Sequence, residues 1–202
     1  MDQIRNRREI IDRKALSISL EELALQFPWE SPKLRQPALA LLKAALAAGQ
    51  AEVRRRFEGG TSATVPLQSL SYLVDQLIRV IFDLTTLRVY RQTNPTAGER
   101  ISVVAVGGYG RGELAPFADI DLLFLFPYKQ TPWGEQVVEF MLYLMWDLGL
   151  KVGHSTRSVD DCIRLGKGDL TIRTALLEAR YVSGDQVLAQ ELRTRFQKEV
   201  VQ

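Results

Sequence analysis

Residues Ile101 to Phe126, ISVVAVGGYGRGELAPFADIDLLFLF, constrain the fold more than any other stretch of the chain. Ile101, Val103, Val104, Ala105 and Val106 form a short, almost wholly apolar, β-branched run, the pattern of a strand buried on both faces. The run stops at Gly107-Gly108, where two residues without a Cβ allow a tight bend and let a ligand come close to peptide N–H groups. Tyr109 to Leu114 then offers a short helical turn carrying Arg111, and Pro116 ends it. A second apolar strand, Ile120 to Phe126, is opened by Asp119-Ile120-Asp121. Alternation along an extended chain places both aspartates on one face and Ile120 on the other.

Two carboxylates on one face repel each other, and a divalent cation between them offsets that cost. Mg²⁺ suits hard oxygen ligands combined with substrate phosphates, so Asp119 and Asp121 are candidate metal ligands and catalytic residues. Gly107 and Gly108 are a candidate phosphate cradle through their backbone N–H groups. Arg111 either adds charge-assisted bonds to that anion or anchors the turn. Each half also has a bland reading, because a glycine pair can be only a turn and Asp-x-Asp only a solvated strand start. Their conjunction on successive strands is what points to nucleotide chemistry.

Gly-Gly followed, after a short helical turn, by Asp-x-Asp resembles the signature of the nucleotidyltransferase superfamily whose fold is shared with polymerase β. The longer string GGYGRGELAPFADIDLLFL, together with LGLKVGHSTRSVDDC and DLTIRTALLEARYVSGD, resembles the amino-terminal domain of the bacterial PII uridylyltransferase/uridylyl-removing enzyme family. The resemblance runs over residues 70 to 202 and is loose before that. It implies UTP as the nucleotide, Mg²⁺ on Asp119 and Asp121, and a tyrosine hydroxyl of the trimeric PII signalling protein as the acceptor.

The chain departs from the family at two places. Ala115 stands where a histidine is usual and Ala118 where a small hydroxyl residue is usual, neither being a metal ligand of the superfamily pattern. Superfamily members commonly add a third carboxylate from a later strand. The expected third strand here, LKVGHSTRS, has no acid, which leaves Asp160, Asp169 and Glu178 as candidates. The family's uridylyl-removing activity lies in a separate downstream domain built on histidine and aspartate ligands. A chain with one histidine, His154, is not expected to encode it.

With 202 residues and 46% hydrophobic content the chain can bury a proper core. Its 26 basic and 24 acidic residues give a net charge of +2, which makes no electrostatic case for bulk nucleic acid or a membrane surface as partner. Cys162 is the only cysteine, so no intramolecular disulfide forms, as fits a reducing cytoplasm. The first residues, MDQIRNRREIIDRKAL, lack the apolar core of a signal peptide, and Val137 to Leu150 is interrupted by Glu139 and Asp147. A cytoplasmic protein is expected.

The remaining pattern predicts an α+β fold, a small mixed sheet with packed helices preceded by a helical amino-terminal region. Ile4 to Lys14 suggests an exposed helix or frayed arm, Ser19 a helix cap before Glu21-Glu22, and Pro28 to Pro37 a proline-marked connection. Ala38 to Phe57 has helix composition, with Arg54-Arg55-Arg56 as charges at its end. Leu67, Leu70, Val74, Leu77, Ile78, Ile81 and Leu84 predict a helix from Pro66 to Tyr90. Glu135 to Leu148 is expected to be a helix with Met141, Met145 and Trp146 in the core, and Leu150 to Ser158 a third strand. On that strand His154 is read as a structural hydrogen-bonding group in preference to a nucleotide contact. Asp160-Asp161 is expected to cap a short helix, and Asp169 a helix running to Tyr181. An amphipathic helix follows from Gln186. The expected organisation is a helical extension over 1–65, a nucleotidyltransferase domain over 66–185, and over 186–202 the start of a further helical region of a longer protein.

Overall fold

The computed structural model describes residues 4–28 and 31–202. The chain opens with a single helical turn, α1 (Arg7–Ile10). Ile10 and Ile11 are buried against the helices that follow, so this segment is neither a loose arm nor an exposed helix. Two isoleucines in a row removed from water outweigh the charge around them. Helix α2 (Arg13–Gln26) is capped by Asp12, whose carboxylate accepts the Ala15 N–H at 3.0 Å. Ser19, expected to be the cap, lies inside the helix, because the acidic pair after it is only part of a solvated face.

Of the expected connection between Pro28 and Pro37, positions 29 and 30 lie outside the described residues, and the rest is already helical. Helix α3 (Pro32–Glu58) starts with Ser31 as its cap and Pro32 at its first position, where a missing N–H costs nothing, and it runs on through Pro37. Pro37, the sixth residue, lies inside the helix and leaves the Lys33 carbonyl without its N–H partner there. At the other end Glu52 takes hydrogen bonds from Arg55 and Arg56, which hold its carboxyl down to about 2, and Arg54 pairs with Glu58. Arg54 and Arg55 are thus paired within their own helix, while Arg56 also reaches the Arg5 and Asn6 carbonyls and Glu9.

Helix α4 (Thr64–Leu84) is the central helix, and its last turn loosens into a π-helical turn at Thr85–Val89. After a 3₁₀ turn at Ala97–Glu99 come β1 (Ser102–Ala105), the short helix α5 (Gly107–Gly110), β2 (Ile120–Phe126), α6 (Pro132–Asp147) and β3 (Val152–Ser158). Helices α7 (Val159–Gly168) and α8 (Leu170–Leu177) lead to β4 (Arg180–Gly184), and α9 (Gln186–Phe196) follows. The helix expected to reach Tyr181 stops at Leu177, and Arg180 to Gly184 pairs with β1 instead. Tyr181 and Val182 suit a strand, and the open edge of β1 supplies the partner that local sequence cannot reveal. Ser158, not the Asp160-Asp161 pair, caps α7: its hydroxyl accepts the Asp161 N–H at 3.1 Å, and the two acids fill the first turn.

The strand order is β3-β2-β1-β4, with β2 and β3 parallel and the other two pairings antiparallel, so the sheet is mixed as expected. Its faces are covered differently. Val103, Ala105, Leu122, Phe124 and Phe126 pack on α4 and α6, and this core continues to Leu42 and Ile10. Val104, Leu123 and Leu125 pack on Cys162 and Ile163 of α7 and on Leu188, Leu192 and Phe196. Burial on both sides explains why β1 and β2 are nearly unbroken apolar runs. Met141 and Met145 are fully buried, whereas Trp146 is 43% exposed and donates its indole N–H to the Val152 carbonyl. Among the described residues no helix is long and apolar enough to cross a membrane.

Candidate nucleotide site

The ladder between β1 and β2 ends where the candidate site begins. The Val106 N–H donates to the Asp121 carbonyl at 3.0 Å, and the next residue, Gly107, turns the chain into α5 with φ +58°. That left-handed backbone suits glycine and strains other residues. The first N–H groups of a helix have no partner inside it, so the diglycine bend presents unpaired donors beside β2.

Asp121 is the second residue of β2, on the face shared with Leu123 and Leu125. Its carboxylate is enclosed by residues that lack side chains. A Cβ at Gly107 would lie 3.3 Å from Oδ2, and a Cβ at Gly153, its partner across the β2–β3 ladder, 2.8 Å from Oδ1. The diglycine bend and this acid are therefore in contact, and β3 contributes a second glycine to the same small space. Gly153 carries no local signal of this role, which only the parallel pairing with β2 reveals.

Asp119 is the last residue before β2 and is exposed. Among the described residues neither Asp119 nor Asp121 accepts a side-chain hydrogen bond or forms an ion pair. No group of three or more His, Cys, Asp or Glu side chains is arranged to hold a metal among those residues. An uncommitted Asp121 carboxylate against the diglycine bend, with the exposed Asp119 two residues before it, fits a divalent ion that draws its remaining ligands from phosphates and water.

The other candidates already have partners of their own. Arg111 Nη1 donates to Glu178 Oε1 at 2.7 Å, on the rim of the bend, with the guanidinium 57% exposed. Asp160 takes Arg195 at 2.7 Å. Asp169 caps α8, accepting the Thr171 and Ile172 N–H groups at 2.8 and 3.1 Å. His154 pairs with Leu122 in the ladder, one step from Gly153, and so belongs to the opposite face from Asp121. Its ring lies 6.3 Å from that of Trp146, an edge contact with α6. Sequence reasoning passed over Asp75 and Arg180, which hold α5 from beneath through the Tyr109 hydroxyl and the Tyr109 and Gly110 carbonyls.

Comparison with known proteins finds a matching domain family and relatives along nearly the whole chain. A family model described as a nucleotidyltransferase domain matches residues 87–182. The chain is 56% identical over 201 residues to a bifunctional uridylyltransferase/uridylyl-removing enzyme of Rhodospirillum rubrum, covering 98% of this chain and 21% of that protein. A protein of the same name from Azospirillum brasilense is 54% identical over 98% of this chain and 21% of its own length. One from Caulobacter vibrioides is 49% identical over 95% of this chain and 20% of its own length. The chain thus spans about a fifth of the length of the curated relatives it matches. Residues 87–182 match the nucleotidyltransferase domain family, within a chain similar along nearly its whole length to part of bifunctional uridylyltransferase/uridylyl-removing enzymes.

Proposed function

We propose that the chain transfers UMP from UTP to a tyrosine hydroxyl of a PII signalling protein in the cytoplasm, with Mg²⁺ as its ion. The observation that carries this reading is the Asp121 carboxylate set between Gly107 and Gly153, against the bend whose N–H groups are free to meet phosphate oxygens. The names of the relatives support uridylyl transfer in particular.

Asp119 and Asp121 would hold the ion through carboxylate oxygens, and when bound it supplies charge neutralisation at the phosphates. Gly107 and Gly108 receive triphosphate oxygens through the backbone. Arg111, already at the rim, exchanges Glu178 for a phosphate oxygen. The acceptor hydroxyl gives its proton to solvent water as its oxygen forms a bond to the α-phosphorus and the bond to the β-phosphate bridge breaks, and pyrophosphate leaves with that electron pair.

A second reading is a nucleotide-binding regulatory domain without transfer. It is favoured by the engagement of Asp160, Asp169 and Glu178 with other partners, which leaves no third acid at the pair among the described residues. Incubation with α-³²P-labelled UTP, Mg²⁺ and purified PII separates the two. Label on PII, lost in Asp121→Asn at unchanged melting temperature, supports transfer. UTP binding without label supports the regulatory reading, and label transfer by Asp121→Asn at the wild-type rate overturns the role given to that acid.

A further inference from the structure

The four-residue helix α5 is held by an unusual concentration of polar contacts for a turn so short. Tyr109 is 1% exposed and its hydroxyl donates to Asp75 Oδ1 on α4. Arg180, the first residue of β4, donates to both oxygens of the same carboxylate, at 2.7 Å from Nη1 and 3.1 Å from Nη2. The same guanidinium reaches two successive carbonyls of α5, Tyr109 O at 3.2 Å and Gly110 O at 3.2 Å, and sits 5.3 Å from the centre of the Tyr109 ring. From the other side the Glu178 carbonyl presses on Gly110, where a Cβ would come within 2.1 Å of it.

These contacts tie α4 to β4 and, through the Tyr109 side chain and the two carbonyls, carry that tie to the backbone of the bend. A buried ion pair is a poor source of net stability compared with apolar residues of the same volume, whereas it fixes geometry well. Burial and the neighbouring Asp75 charge push the Tyr109 phenol well above its ordinary range, so it stays a donor across the working pH range. The bend lies against Asp121, and a shift of the bend moves the phosphate donors relative to the acid pair.

We propose that Asp75, Tyr109 and Arg180 are positioning residues that lock the diglycine bend in register with Asp121, so that the cradle is formed before nucleotide arrives. The proposal rests on the nucleotide reading above. None of the three needs to touch substrate: each acts through the backbone of Gly107 to Gly110.

The test is calorimetric titration of the chain with UTP and Mg²⁺, which reports affinity and the number of competent sites separately, alongside KM and kcat for labelling of PII. Tyr109→Phe removes one hydroxyl and keeps the ring, and Arg180→Lys keeps the charge but loses the two-carbonyl grip. A displaced cradle weakens UTP binding and raises KM about tenfold in each variant, at unchanged site number, because small misplacements of binding groups carry large penalties. A merely structural staple would instead lower the site number and kcat together and leave affinity and KM at wild-type values, and that result overturns the proposal. Wild-type chain that binds no UTP overturns the nucleotide reading and the proposal together, whereas wild-type binding matched by both variants overturns the proposal alone.

Discussion

Gly153 and Asp121 face each other across the parallel β2–β3 ladder so closely that a methyl group on the glycine would stand 2.8 Å from Oδ1 of the acid. The obstructed atom is the end of a short side chain, which can swing aside at little cost to the fold. It cannot swing aside and keep its aim. Gly153→Ala is therefore expected to leave the melting temperature within a few degrees of wild type while uridylyl transfer falls about a hundredfold, on the scale of a misplaced catalytic group. Paired melting and labelling assays check this, and wild-type activity in the variant would remove Gly153 from the site.

Gly110 gives the opposite expectation, since the atom in the way is the Glu178 backbone carbonyl and the space is closed on the other side by the Ala105 carbonyl. Gly110→Ala is expected to destabilise the chain by about 1–3 kcal/mol, the usual cost of overpacking a tight site. Urea denaturation measures it.

Cys162 is buried among the α7 and α9 side chains, and burial pushes its thiol up to about 12. The thiolate is the reactive species, so native chain is expected to resist thiol reagents at pH 8 and to label fully in denaturant. The sign for stability follows from the same shift. The folded state retains a proton that the unfolded chain releases above its ordinary value of 9.0, so this contribution is intact below that pH and lost as pH rises toward about 12.

Asp185 caps α9 through the Leu188 N–H at 2.9 Å and takes Arg100 Nε at 2.6 Å. The Arg100 hydrogen bond holds its carboxyl below the usual aspartate value, so its contribution is present above pH 3.8 and lost as pH falls through the lower folded value. Asp185→Ala is expected to cost about 1–2 kcal/mol at pH 7. That difference is expected to shrink as pH falls below 3.8, with the urea midpoints of the two proteins converging.

Much of this was legible in the sequence because the informative residues act locally. The β-branched run from Val103, the glycines at 107 and 108, and the alternation from Asp119 through Asp121 are each set by their own backbone preferences. Strand β2 falls on Ile120–Phe126, where the apolar run predicts it. What could not be read depends on partners far along the chain. Strand β4 exists because β1 has a free edge to pair with, and Arg180 matters because that strand delivers it beneath Tyr109 and Asp75. Gly153 looks like any strand glycine until parallel pairing sets it opposite Asp121. Ile10 and Ile11 sit among charges and seem solvated only while the helices they pack on are left out of view.

Strand β2 is bonded on both edges, to β1 and to β3, and roofed on both faces. Its amides consequently exchange with solvent only when the molecule opens as a whole, since no smaller excursion exposes them. The acid at its head shares that protection. Heat should thus silence the protein in one step, the loss of turnover tracing the same curve as the loss of structure, with no intermediate temperature at which an intact body has a slack centre.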